Sequence, residues 1–345
     1  MESAFDDTGQ QVPLVVGGVY TESNSLDTAI GNAVQMFARG PDGSLTSLGT
    51  IPTGGFGTGA GLGSQGSVRL SPDNQHLLAV SAGTDQLTAF QVNGNATLTR
   101  LNVVGSGGVF PISVTATDSV AYVLNAGGSQ HINGYFLNSF GLTPLDGRQN
   151  LSPTAAGPAE VRFSPSASLL DVTEKFSNTI DIFPVGGRPV AGPPVQSPSA
   201  GVEPFGSAWS DVDRLLVTDT TSNAVTLYAV GPDNRLTVVA GPVPNFQSAP
   251  CWIAVTGNQQ FAYVANTGSG TISSYAITRN SLQLLASVAA VIGGAPIDLD
   301  LSSDSRFLYA LNGTTITALG VNADGSLTPI GVAPVIPGSV GLAAF

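Results

Sequence analysis

Residues 250–275 read PCWIAVTGNQQFAYVANTGSGTISSY. Pro250 opens a short apolar strand, a polar turn follows, Ala262-Tyr-Val-Ala forms a second strand, and a polar loop leads into a third strand that closes on Tyr275. The pattern recurs along the chain. Strand-opening prolines fall at Pro111, Pro158, Pro204, Pro250 and Pro296, with Gln65 in the equivalent place one unit earlier, so the steps are 46, 47, 46, 46 and 46 residues. Second strands read Leu77-Leu-Ala-Val, Ala121-Tyr-Val-Leu, Leu169-Leu-Asp-Val, Leu215-Leu-Val-Thr, Ala262-Tyr-Val-Ala and Leu308-Tyr-Ala-Leu, and Leu14-Val-Val-Gly is assigned to the same series. Third strands end at Phe37, Phe90, Tyr135, Phe183, Tyr228, Tyr275 and Leu319; fourth strands begin at turns such as Ser44-Leu-Thr, Gly141-Leu-Thr and Ser326-Leu-Thr.

A period near 46 with four strands per unit implies a β-propeller, because a four-stranded sheet buries both faces only by packing between two neighbours. The first unit lacks its opening strand, while the chain ends in a surplus one, Pro337-Gly-Ser-Val-Gly-Leu-Ala-Ala-Phe345. The expectation is an all-β, seven-bladed β-propeller of four-stranded antiparallel blades, closed by the C-terminal strand pairing into blade one. It occupies residues 13–345 as one domain, behind an N-terminal tail over 1–12.

These motifs resemble the seven-bladed lactonase-type propellers, which include carboxymuconate lactonizing enzymes and phosphogluconolactonases. The resemblance spans the chain and rests on Ser71-Pro-Asp-Asn, Tyr122-Val-Leu-Asn-Ala-Gly with Ile132-Asn-Gly-Tyr and Gly141-Leu-Thr-Pro-Leu, and Tyr263-Val-Ala-Asn-Thr-Gly-Ser-Gly-Thr-Ile-Ser-Ser-Tyr. It implies a lactonase or cycloisomerase activity. The motifs themselves serve turns and blade packing, so they carry the fold more than the reaction.

Composition narrows the partners. With 345 residues, 42% hydrophobic, the chain can build a core and is not disordered. Eleven basic against 23 acidic residues give a net charge of −12, with Lys175 the only lysine, which excludes nucleic acid as a partner. The longest apolar stretch, around Leu282 to Ile292, contains Gln283 and Ser287 and is too short to span a membrane as a helix. Residues 1–11 lack the pattern of a secretory signal, and an extracellular or periplasmic setting is favoured over others only slightly. A monomer acting on a small molecule is expected.

Aligning the inner strands separates the positions by the strand period of two. Third and fifth positions are apolar, Ser207 excepted, and should pack between blades. Second positions hold Ser67, Ser113, Glu160, Gly206, Trp252, Asp298 and Ser339; fourth positions hold Arg69, Thr115, Arg162, Ala208, Ala254, Asp300 and Gly341. These should face the channel, so a charge-poor protein gathers three acids and two arginines around its axis. Glu160 is the candidate proton carrier, and Arg69 and Arg162 the candidates for holding a carboxylate or an oxyanion. An internal ion-pair network filling a narrow tube is the competing reading.

The pocket is expected on the face of the inter-blade loops, under the glycine-rich loop 52–66. There His131 is a fourth catalytic candidate, while Gln65, Ser67, Glu174, Lys175, Trp252 and Asp298 are candidates for binding substrate. Gly61-Leu-Gly-Ser-Gln-Gly66 spells GxGxxG but leads into a strand, so a dinucleotide site is not expected. His76 belongs on the opposite face from His131, so no metal site is assigned, and no cofactor either. Cys251 reads as a buried, inert thiol. Lactonase-type propellers acting on acidic substrates are expected to carry more basic residues at the channel, and Ala159-Glu160 stands where a histidine would be familiar. A neutral or monocarboxylate lactone therefore fits better than a phosphorylated one. The alternative is a non-catalytic secreted or surface propeller that binds a protein or glycan.

Overall fold

The computed structural model describes residues 14–151, 156–186 and 190–345; the tail expected over residues 1–12 lies outside them. The described residues form seven antiparallel sheets, each running from an inner to an outer strand. The inner strands are Val340–Ala344, Val68–Leu70, Val109–Ala116, Pro158–Phe163, Pro204–Asp211, Pro250–Val255 and Asp298–Leu301 for blades one to seven. Each touches the next around the full circle, so the sheets form a seven-bladed propeller. No helix among the described residues is long and apolar enough to cross a membrane.

Closure occurs where the surplus strand required it. Val340–Ala344 pairs antiparallel with Gly17–Glu22, the second strand of blade one. Arg39 Nε donates to the Phe345 carbonyl at 2.8 Å, and the Phe345 and Tyr20 rings stack at 6.2 Å. The start of blade one differs from the expectation. Its second strand is Gly17–Glu22 and not Leu14-Val-Val-Gly: Leu14 and Val16 are exposed, whereas Val19 lies opposite Phe37 as Leu77 lies opposite Phe90 in blade two. Gly17 and Gly18 disguise the strand. A Cβ at Gly17 would collide with the Phe345 carbonyl, so the approach of the closing strand demands a residue without hydrophobic signal.

The core lies between blades. Third-position residues Val68, Val114, Val161 and Ile253 are fully buried, as are seven tyrosines, Tyr20, Tyr122, Tyr135, Tyr228, Tyr263, Tyr275 and Tyr309. In blades one, six and seven a second-strand tyrosine fastens the blade to the following one. Tyr20, Tyr263 and Tyr309 each donate from the hydroxyl to a turn carbonyl of the next blade, at Ala96, Gly325 and Gly43, all at 3.0 Å. The last of these also crosses the closure, and each such bond contributes about 1 kcal/mol net.

Deleting residues 337–345 exposes the edge of Gly17–Glu22 and removes one wall of the channel. Size-exclusion chromatography and thermal circular dichroism are expected to show aggregated material without a cooperative transition; a monomeric, cooperatively melting product contradicts this account of closure.

Candidate functional site

The channel-facing positions come together as the strand alternation requires. Arg69 Nη2 lies 2.9 Å from Glu160 Oε1, and Arg162 Nη1 lies 3.5 Å from the same oxygen. The other carboxylate oxygen accepts from Ser207 N at 2.6 Å and Ser207 Oγ at 3.2 Å. Glu160 is thus wholly buried with both oxygens engaged, while the two guanidiniums keep 14% and 24% of their side-chain surface exposed. Burial pushes the Glu160 carboxyl up, against the pull of Arg162 and Arg69. Asp298 accepts from Leu299 N and Leu342 N, Asp300 from Leu301 N and Ala344 N, and burial raises both carboxyls against the field of Arg69. The inner-strand acids therefore bind the backbone of adjoining strands, and Glu160 the two guanidiniums as well.

The mouth on the loop face is covered. Gln65 reaches across the bore: its amide donates to the Ile253 carbonyl at 3.0 Å, its side-chain oxygen accepts from Ile253 N at 3.2 Å, and its own N–H meets the Ala159 carbonyl at 3.0 Å. Gly206 has no side chain because a Cβ there would strike Gln65 Oε1. Trp252 Nε1 donates to the Ser64 carbonyl at 2.9 Å, and Lys175 Nζ to the Gly63 carbonyl at 2.6 Å, with the ammonium 4.9 Å from the centre of the Phe205 ring. Lys175 and Gln65 therefore hold the 61–66 segment down. This segment enters a strand, so its GxGxxG spacing serves the cover and presents no helix end.

Beside the cover lies a cavity of about 250 Å³ lined by Leu62, Ser64, Ser67, Trp252, Ile297 and Val340, with Gly61, Gly63 and Gly341 completing its wall. It suits a small, mostly apolar ring. Arg69 is two residues beyond Ser67 on the same face, and its guanidinium passes Gly66, where a Cβ would sit 2.7 Å from Nη2.

Other expected site residues are held apart from this assembly. His131 opens the third strand of blade three, two strands out from the channel. It is buried with Nδ1 against the Ser129 carbonyl and Nε2 3.2 Å from the Gly107 carbonyl. Glu174 is buried and accepts from Ser177 Oγ at 2.5 Å, beneath the rim and not on it. Cys251 is a buried free thiol, and burial pushes its pKa up. The sequence reading missed buried carboxyls on second strands, among them Asp171, Glu22 and Asp219. Asp171 accepts from Trp209 Nε1 at 2.6 Å and is pushed up to about 7, by burial first and then by the Glu160 charge. Glu22, at the end of Gly17–Glu22, is pushed up to about 8 by burial. Asp171 stands out in the apolar run Leu169-Leu-Asp-Val; Glu22 was obscured by the misplaced start of its strand.

Residues 30–139 match the family described as lactonase, 7-bladed β-propeller. No curated protein matches the sequence. Among solved structures, a protein from Lactobacillus plantarum is 17% identical at a TM-score of 0.77, with 96% of this chain and 100% of that one covered. A putative 6-phosphogluconolactonase from Bacteroides fragilis is 15% identical at 0.73, covering 95% and 98%. The periplasmic gluconolactonase PpgL of Pseudomonas aeruginosa is 15% identical at 0.71, also covering 95% and 98%. The chain is similar to the seven-bladed lactonase-type propellers, as its motifs indicated; at these identities the structural likeness speaks for the fold.

Two outcomes follow from the buried charges. Glu160→Ala leaves two guanidiniums without their counter-charge and should lower unfolding stability by roughly 3–5 kcal/mol, with a smaller loss for Glu160→Gln, both read by urea denaturation. Asp171 has a folded pKa above its unfolded value. Its stabilising effect is therefore complete below about pH 4 and is lost as pH rises to about 7. Urea midpoints at pH 5 and pH 8 should differ less in Asp171→Asn than in the parent; an unchanged difference would show that the carboxyl is ionised in the fold throughout.

Proposed function

We propose that this protein is a lactonase-like enzyme that opens, closes or isomerises a small lactone or carboxylate without a metal, in the cavity under the 61–66 cover. The observation that carries this reading is the juxtaposition of an apolar cavity walled by Trp252 with the Arg69–Glu160–Arg162 cluster on the same inner-strand faces. The ring of the substrate packs on Trp252 and Leu62, and Ser67 offers it a hydroxyl. Arg69, and Arg162 behind it, hold the carboxylate or the negative charge that develops on the carbonyl oxygen. Glu160 is better suited to aligning the two guanidiniums than to moving a proton, since no oxygen of its carboxyl is open to a substrate. A substrate of one negative charge or none matches so few positive groups better than a phosphate ester does.

Exposed aromatic side chains on the loop face, Phe176 and Phe246 at 75% and 77%, favour a second reading, in which that rim binds a protein or a glycan.

A panel of five- and six-membered lactones, with and without a ring carboxylate, followed by pH-stat titration separates the two. Turnover is expected, strongest for the small members. Arg69→Met should lower kcat/KM on the carboxylate lactones by about 100-fold, the loss of one charge-assisted hydrogen bond, and the neutral lactones less. No turnover across the panel, with saturable binding that Phe176→Ser and Phe246→Ser abolish, would establish the second reading instead.

A further inference from the structure

The seven repeats act as internal controls for one another, and one site departs from the rest. Measured from the residue opposite the third-strand aromatic or leucine, Glu22 corresponds to Val80, Leu124, Thr173, Thr218, Ala265 and Leu311 in blades two to seven. Six blades place an apolar residue or a threonine there, and blade one places a carboxylate. The two threonines donate to carbonyls at the start of the next inner strand, Thr173 to Phe205 and Thr218 to Cys251, so this position looks onto the following blade. For Glu22 the following blade is the second, and the residues it meets are at the head of Val68–Leu70.

Ser67 is there, and it too departs from its counterparts. Among the second-position serines, Ser113 accepts from Val161 N at 3.1 Å, and Ser339 accepts from Gln35 Nε2 at 2.7 Å and donates to the Ile336 carbonyl at 2.6 Å. Ser67 Oγ makes no hydrogen bond of standard geometry, and neither does Glu22 Oε1, although each residue is at least 98% buried. The other oxygen, Glu22 Oε2, is fixed by Asn32 Nδ2 at 2.8 Å, whose amide also donates to the Val80 carbonyl at 3.1 Å and so ties blade one to blade two. Gly341, held at φ +70°, lets the closing strand pass Ser67 without a Cβ that would fall on its hydroxyl. Ser67 and Gly341 both line the 250 Å³ cavity.

From this geometry we propose that Ser67 is a nucleophile of the cavity and Glu22 its proton acceptor, a serine–carboxylate pair directed at the carbonyl carbon of a lactone. The inference rests on the lactonase reading above for its substrate class. Ser67 Oγ bonds to the carbonyl carbon while its proton passes to Glu22 Oε1. The ring carbon–oxygen bond breaks, and the departing oxygen takes the proton from Glu22. The opened chain remains as an ester on Ser67, and a water molecule, again deprotonated by Glu22, hydrolyses it to a hydroxy acid and restores the serine. A carboxyl held near neutrality by burial is matched to this task, and the nearby Ser67 hydroxyl lowers its pKa only in part. The groups that flank Glu22 are Asn32 before the third strand, Val340 on the closing strand, and Ser67, Val80 and Ser81 of blade two; none is charged, and Arg69 on that inner strand is turned onto Glu160.

The test is covalent labelling of the full chain with an alkyne-bearing β-lactone, read by intact mass and peptide mapping. One equivalent should add to Ser67, with a rate that climbs with pH to a plateau above about pH 8. Ser67→Ala should not label. Glu22→Gln, which keeps the shape and the Asn32 contact, should melt no lower than the parent at pH 8, yet label at least 100-fold more slowly and without that pH dependence. Absence of labelling, labelling at another residue, or a parental rate in folded Glu22→Gln overturns the proposal. Parental turnover of ordinary lactones by Ser67→Ala overturns it too, while leaving the lactonase reading standing. Labelling at Ser67 in a protein that turns over no ordinary lactone supports the pair and removes that reading.

Discussion

A four-stranded sheet has two apolar faces, and in this molecule each is covered only by the neighbouring blade. Every blade therefore depends on the ring being complete, and the ring is complete only because Val340–Ala344 returns to lie beside Gly17–Glu22. The hydrogen bond from Tyr309 to Gly43 and the stacking of Phe345 on Tyr20 secure that one joint. Chain ends more than three hundred residues apart thus set the position of the blade-one and blade-two residues that wall the cavity.

Closure also creates the electrostatic condition of the channel. Inner strands brought edge to edge around an axis bury most of the side chains at second and fourth positions, so their polar groups must find partners within the fold. Glu160, Asp298 and Asp300 do so by accepting from backbone N–H groups of adjoining strands, with Arg69 and Arg162 set among them. Burial raises all three carboxyls, which follows from removing charge from water faster than two guanidiniums restore it. The ion-pair network and the candidate site are thus one construction. The same residues that fill the tube hold two partly exposed arginines in a fixed orientation, and fixed charge is what distinguishes a site from a surface patch.

The cover over the mouth explains why so glycine-rich a loop is ordered where it matters. Gln65 spans the bore with a two-point hydrogen bond to Ile253, Trp252 and Lys175 take the carbonyls of Ser64 and Gly63, and Leu62 turns inward. A segment without large side chains can lie flat over the inner strands, and the cavity is the space it leaves.

From the residues alone came the repeat length, the four-strand unit, the closing strand and the faces of the inner strands, because each is a local periodicity of apolar residues and turns, and local patterns survive in one dimension. The gathering of Arg69, Glu160 and Arg162 was legible for the same reason: equivalent positions in a repeat point to a common axis. Folding decided the rest. That Gln65 bridges the channel and that Glu22 meets Ser67 are contacts between different blades, fixed by how far each sheet leans on the next, and His131 and Glu174 are buried short of the mouth among their own neighbours. No spacing in the chain encodes that lean, because it emerges only when all seven sheets share the space around one hole.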